Sequence, residues 1–126
     1  MPAITPIQGL DFVMIPTQDL NRAVSFYRDT LGLELDSMWG EMGAEFKLGN
    51  DLTLAVMDPS ATGRPFAPHD TGAIALSVPD VDAAVAALSA QGITFHGERI
   101  DSGVCKMAFF SDPDGNSLML HNRYAP

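Results

Sequence analysis

The sequence predicts an α+β fold made of two tandem copies of a βαβββ module, on three observations: a repeat between its halves, two amphipathic helices each preceded by an aspartate, and a matched turn before the last strand of each half. An internal repeat governs the whole architecture, so it is sought first. At a shift of 61, Val13 falls on Ile74, Ile15 on Leu76, Asp19 on Asp80 and Leu20 on Val81.

Taken in order, the segments around Leu10–Leu20 and Thr71–Val81 alternate apolar and polar residues, the period of a strand with one face against a helix. Asp19 and Asp80 stand at helix N-cap positions, where a carboxylate accepts from unpaired backbone N–H groups. Beyond them, Leu20, Ala23, Val24, Tyr27 and Leu31, and then Val81, Ala84, Val85 and Leu88, follow the spacing of one buried helical stripe. Gly32 and Gly92 end the two helices, where a positive φ is wanted. Three strands are expected after each helix, over 33–38, 44–48 and 52–57, then over 93–98, 104–111 and 117–122. The turn before each last strand carries Gly-Asn, at Gly49-Asn50 and Gly115-Asn116, a shift of 66 that pairs Leu52-Thr53-Leu54 with Leu118-Met119-Leu120. Module one covers about 8–58 and module two about 71–124. The Pro- and Gly-marked segment 59–70 links them with no helical or strand period.

With 126 residues, the chain fits a single domain over 1–126. No apolar run approaches the roughly 20 residues that span a bilayer, and the first six residues lack the basic and apolar regions of a secretory signal. A cytoplasmic location and no membrane partner are therefore expected. Cys105 is the one cysteine, which excludes an internal disulfide and a Cys-rich zinc site. Its apolar neighbours predict a buried structural thiol. Seven scattered Lys and Arg against a net charge of −9 exclude nucleic acid as a partner. Neither a Ser-His-Asp or Cys-His arrangement nor a Gly-rich phosphate loop is present.

The run Asp19-Leu20, Val24-Ser25-Phe26-Tyr27-Arg28-Asp29 and Leu31-Gly32-Leu33 resembles the first-module helix signature of the vicinal-oxygen-chelate superfamily, the glyoxalase/bleomycin-resistance/dioxygenase family. Asp112-Pro113-Asp114-Gly115-Asn116 resembles that superfamily's second-module turn. The resemblance extends from about Leu10 to Tyr124. It implies two βαβββ modules whose mixed sheet curls into an open cup with the helices outside, completed in a homodimer. Read alone, the Asp-Pro-Asp-Gly segment lacks the alternating oxygen ligands and terminal Glu of a calcium loop, and is a tight turn.

Metal-using members of that superfamily supply four ligands from the first and last strands of each module. Carried onto this chain, the positions are Phe12, Thr53, Ala73 and Met119. Phe and Ala offer no lone pair, Thr is a poor ligand and a thioether suits only soft ions. No metal and no cofactor are therefore expected. His121 is the one plausible ligand nearby, and one histidine does not hold a catalytic ion.

With Val13 and Ile15 packed on the helix, strand parity turns Phe12, Met14 and Pro16 toward the cup. Thr53, Ala55 and Met57 line it from module one, and Ala73, Ala75, Met119 and His121 from module two. Trp39, in the Gly-rich hairpin at the mouth, is placed to stack on a planar ligand. An apolar wall with sparse polar tips suits a small molecule. The first functional reading is thus a metal-independent protein that sequesters a hydrophobic, aromatic small molecule, in the manner of resistance proteins. The alternative is a cofactor-free isomerase, lyase or cyclase, with Glu41 or Glu45 and His121 as an acid–base pair. Metal-dependent glyoxalase or dioxygenase chemistry ranks last. Inward Phe and Met that plug the cup are the structural alternative. Catalytic residues are not assigned; His69 and His96 are expected to be exposed and inert.

Overall fold

The computed structural model describes residues 6–126; residues 1–5, part of the stretch read above for export features, lie outside the described residues. Module one runs β1 (Phe12–Pro16), α1 (Leu20–Ser25), a π-helical turn (Phe26–Thr30), β2 (Glu34–Met38), β3 (Gly43–Lys47) and β4 (Thr53–Met57). Module two runs β5 (Ile74–Ser77), α2 (Val81–Ala90), β6 (His96–Asp101), β7 (Cys105–Ser111) and β8 (Ser117–Arg123). Each forms a four-stranded mixed sheet of the same order, β1-β4-β3-β2 and β5-β8-β7-β6, in which the first and last strands run parallel. The expected α+β fold of two tandem modules is what the chain adopts. Among the described residues no helix is long and apolar enough to cross a membrane.

The capping aspartates act as their position predicts. Asp19 and Asp80 both hold an extended backbone at φ −148°, and each carboxylate accepts from the N–H three residues on, Arg22 and Ala83, at 3.1 Å. The helices then diverge. From Phe26 module one widens into a π-turn, with Leu31 N–H donating to Phe26 O and Leu33 N–H to Tyr27 O, whereas in module two Ile93 N–H reaches Leu88 O. The π-turn absorbs one extra residue, so a shift of 61 holds as far as Tyr27 and Leu88, while Gly32 answers Gly92 at 60. Both glycines take positive φ (75° and 91°), as a helix-ending residue must.

Three expectations need correction. The last strands align at a shift of 64, not 66: Met14 lies beside Ala55 and Ala75 beside Met119, so Met119 answers Ala55. The two turns are equally long, closed by Leu48 N–H to Leu52 O and by Asp112 N–H to Asn116 O. The Gly-Asn dipeptides occupy different places in them: Asn50 and Asp51 take positive φ in one, Gly115 in the other. Second, β6 begins three residues later than expected, because Ile93 still completes the helix exit. A register irregularity between His96 and Ile100 and an exposed run along the strand erase the alternation. Third, the linker holds a short 3-10 turn, Pro59–Thr62, capped by Asp58.

Strand parity places one face of each sheet in a shared core. Ile15, Phe46, Leu54 and Val56 from sheet one are fully buried with Tyr27, and Phe110, Leu118 and Leu120 are buried from sheet two with Val81 and Leu88. Each such side chain stabilises the fold by about 1.5–3 kcal/mol. Where the β7–β8 turn meets module one, the contact is polar. The Asp112 carboxylate accepts from Tyr27 OH (2.6 Å), from the Asp114 and Asn116 N–H groups and from Asn116 Nδ2. Asn116 Nδ2 also donates to Pro16 O, and its Oδ1 accepts from His69 N–H. The Asp114 carboxylate, fully enclosed, accepts from Thr17 Oγ1 (2.6 Å), Gln18 N–H and Arg22 Nη2. A buried network with every member satisfied fixes one arrangement of the two modules.

Candidate functional site

The face of each sheet turned away from the helices carries the residues expected to line the cup, and the strand registers set them in rows. On sheet one, Met14, Ala55, Glu45 and Ser37 stand side by side across four strands, and Phe12, Thr53, Lys47 and Glu34 form the next row. Met57 lies between Pro16 and Gly43. The Trp39 ring rests on Gly43, whose missing side chain makes room for it: a Cβ there would come within 2.7 Å of Trp39 Cε3. Trp39 therefore belongs to this wall, at the β2–β3 turn. Phe12 and Met14 remain 49% and 41% exposed, so the wall is open along β1, while Ala55 beside Met14 is fully buried.

On sheet two, Ala75, Met119, Phe109 and His96 form one row, and Ser77, His121, Met107 and Ile100 the next. Ala73 stands just before β5 begins. The ten expected site residues thus divide into two walls: Phe12, Met14, Trp39, Thr53, Ala55 and Met57 with sheet one, and Ala75, Met119 and His121 on sheet two with Ala73 at its edge. Glu45 and His121, offered above as an acid–base pair, sit on different sheets. The Glu45 carboxylate instead accepts from Ser37 Oγ at 2.7 Å. Cys105, expected to be buried, is half-buried on the wall opposite Arg123.

Sequence reasoning missed two polar pairs. Ser37–Glu45 is one. The other joins His96 Nε2 to Ser111 Oγ at 2.8 Å, on the same face as Met119. His96 is exposed as expected, but it is not isolated. The signal was recoverable for Ser111, which shares strand parity with Phe109 and Met107. For His96 it was not, since the Gly97 positive φ and the irregular register break the alternation that assigns faces.

The Tyr27 hydroxyl holds its proton far above the ordinary tyrosine range, first because burial penalises the phenolate, then through the charge and hydrogen bond of Asp112 and the charge of Asp114. This group locks the modules together and lies away from the walls. The donors at the expected metal positions do not fit a divalent ion: Phe12 and Ala73 have none, Thr53 and Met119 are poor ones, and Ala55, which answers Met119 at the observed shift of 64, has none. Among the described residues no three His, Cys, Asp or Glu side chains converge as a metal cluster would.

Against known proteins, the model of the Glyoxalase/Bleomycin resistance protein/Dioxygenase superfamily matches residues 9–120. The chain is 32% identical to the uncharacterized protein YaeR of Escherichia coli (strain K12), over 93% of this chain and 98% of that one. Among solved structures it is similar to TnmS3, an antibiotic binding protein from Streptomyces sp. CB03234, at 27% identity and TM-score 0.75, covering 94% of this chain and 98% of the other. It is also similar in fold to lactoylglutathione lyase from Agrobacterium tumefaciens, at 23% identity and TM-score 0.78, covering 92% and 94%.

Proposed function

Because the chain belongs to the Glyoxalase/Bleomycin resistance protein/Dioxygenase superfamily, and because its walls are apolar where that superfamily's metal users place ligands, we propose that it is a metal-independent binding protein for a hydrophobic, aromatic small molecule. The carrying observation is the pair of walls: Phe12, Met14, Ala55 and Met57 on one and Phe109 and Met119 on the other are set in strand register, with polar groups at Ser37–Glu45, Thr53, the Lys47–Glu34 pair, His96–Ser111, Ser77 and His121. Apolar area provides affinity, and a few fixed donors and acceptors orient the ligand. Trp39, braced on Gly43, offers a flat face for stacking. The similarity to an antibiotic binding protein supports the same reading.

The exposed apolar wall also supports a homodimer. Ile7, Leu10, Phe12 and Met14 lie along one exposed stretch leading into the edge strand β1, and a second copy would cover them and close the cup. One observation favours a second reading, a cofactor-free isomerase or lyase: the His96–Ser111 pair and Glu45 can each accept or pass a proton at the wall. Titration of neutral planar aromatic compounds against Trp39 emission is the test, with recovery of the compound analysed afterwards. Saturable quenching with the compound returned unchanged is expected, and Met119→Glu should weaken it at least tenfold, since an unpaired carboxylate on an apolar wall costs several kcal/mol to desolvate. Conversion of the compound would move the assignment to the enzyme. A silent panel, confirmed by calorimetry, would refute both.

A further inference from the structure

The two modules meet along two seams related by the internal repeat, and only one of them is closed. In the closed seam the β7–β8 turn is bonded to the end of β1 and to the helix after it through Asp112, Asp114 and Asn116. The corresponding turn of module one, β3–β4, faces the end of β5 and α2, and there the carboxylate and hydroxyl partners of the closed seam have been replaced by apolar or uncharged side chains. At the observed shift of 64, Asp112 is answered by Leu48, Asp114 by Asn50 and Asn116 by Leu52. At the shift of 61, Thr17 is answered by Val78 and Tyr27 by Leu88.

The volumes differ as well as the polarity. Phe26 and Tyr27, packed edge to face at 5.1 Å, fill the closed seam with two aromatic rings. Their counterparts are Ala87 and Leu88. The missing rings leave a cavity of about 720 Å³ in the second seam, lined by these same counterpart positions. Leu48, Leu52 and Val78, which line it, are only half-buried. That volume lies in the range of small-molecule sites, and an apolar cleft left open forfeits contact energy on every lining side chain.

We propose that this open seam is a second binding site, for a neutral small molecule carrying an aromatic ring, which adjoins the cup wall of sheet two at Ala75 and Ser77 but is centred on Leu48, Leu52, Val78, Ala87 and Leu88. The ring takes the space that Phe26 and Tyr27 fill in the closed seam. Neutrality follows from the lining charges: Lys47 at the rim is already paired with Glu34 and Asp36, and the remaining polar groups are uncharged, among them Asn50, Ser77 and Gln91. A charged ligand would shed its hydration with no free counter-charge to meet.

The test uses N-phenyl-1-naphthylamine, a neutral probe that fluoresces when shielded from water, on the full chain. A saturable component of binding that depends on Ala87 is expected, distinct from uptake at the cup. Ala87→Phe, which restores the counterpart ring, should weaken it at least tenfold, and Ala87→Leu at least threefold; melting curves verify that each variant folds. Met14→Glu, on the cup wall remote from the seam, should change it less than threefold. Absence of saturable binding overturns the proposal. So does binding that survives both Ala87 variants but is lost with Met14→Glu, which puts the probe in the cup. A change of solution mass with the Ala87 variants, in place of a change in probe affinity, would identify the seam as a contact between copies and overturn it too. Probe loss through Ala87 alone leaves the cup reading untouched, so the two sites fail independently.

Discussion

Removing the Tyr27 hydroxyl, through Tyr27→Phe, isolates one hydrogen bond of the clamp between modules. The ring stays in the core against Phe26 and Phe46, and only the 2.6 Å bond to Asp112 is lost. A hydrogen bond to a charged group contributes about 1.5–3 kcal/mol. Asp112 keeps its three N–H donors from Asp114 and Asn116, so the loss belongs toward the lower end, about 1.5–2 kcal/mol at pH 7. For a chain of this length that lowers Tm by about 5–8 °C. In urea the midpoint should fall with the slope unchanged. The pH dependence is the sharper part. The folded protein holds the Tyr27 proton far above the ordinary value, so above about pH 10 the unfolded chain releases a proton that the folded one keeps. Stability conferred by the neutral hydroxyl is complete below that pH and is lost above it, by about 1.4 kcal/mol per pH unit. The variant lacks this loss, and the two stability curves should converge near about pH 11. Equilibrium urea unfolding between pH 7 and 11 measures both arms. Equal stability at pH 7, or a constant gap into alkali, would refute the reasoning.

Gly43→Ala should cost about 1–3 kcal/mol and shift Trp39 emission, because the new methyl would meet Trp39 Cε3 at 2.7 Å and Val56 O at 2.9 Å; thermal melts and fluorescence check both. Asp114→Ala should cost about 1.5–3 kcal/mol, since it removes the enclosed charged acceptor shared by the Thr17 hydroxyl, the Gln18 N–H and Arg22. Arg22→Ala, which removes its half-exposed ion partner, should cost less than about 1 kcal/mol, a contrast that chemical denaturation resolves. Light scattering at micromolar concentration should report twice the 13.5 kDa chain mass. Elemental analysis should find no stoichiometric divalent metal, and a chelator should leave the Trp39 titration unchanged.

Much of the architecture is written locally. Asp19 and Asp80 start helices because a carboxylate at that spacing satisfies N–H groups nothing else reaches, and Gly32 and Gly92 stop them because few other residues accept the required φ. The alternation of β1, β4 and β8 likewise separates wall from core, so Phe12, Met14, Thr53 and Met119 could be assigned a face without coordinates. Such features depend on neighbours a few residues apart.

Tertiary structure decided whatever depends on partners distant in the chain. The offset of 64 between last strands is a pairing fact, since one face survives a two-residue slip and alternation cannot detect it. Ser37–Glu45 and His96–Ser111 arise only when separate strands meet, the second across an irregular register. The Asp-Pro-Asp-Gly turn read as a turn and no more; that its carboxylates clamp Tyr27, Thr17 and Arg22 depends on residues more than eighty positions away. The open seam follows from the same cause, because two halves of similar pattern become unequal only where their side chains meet across the molecule.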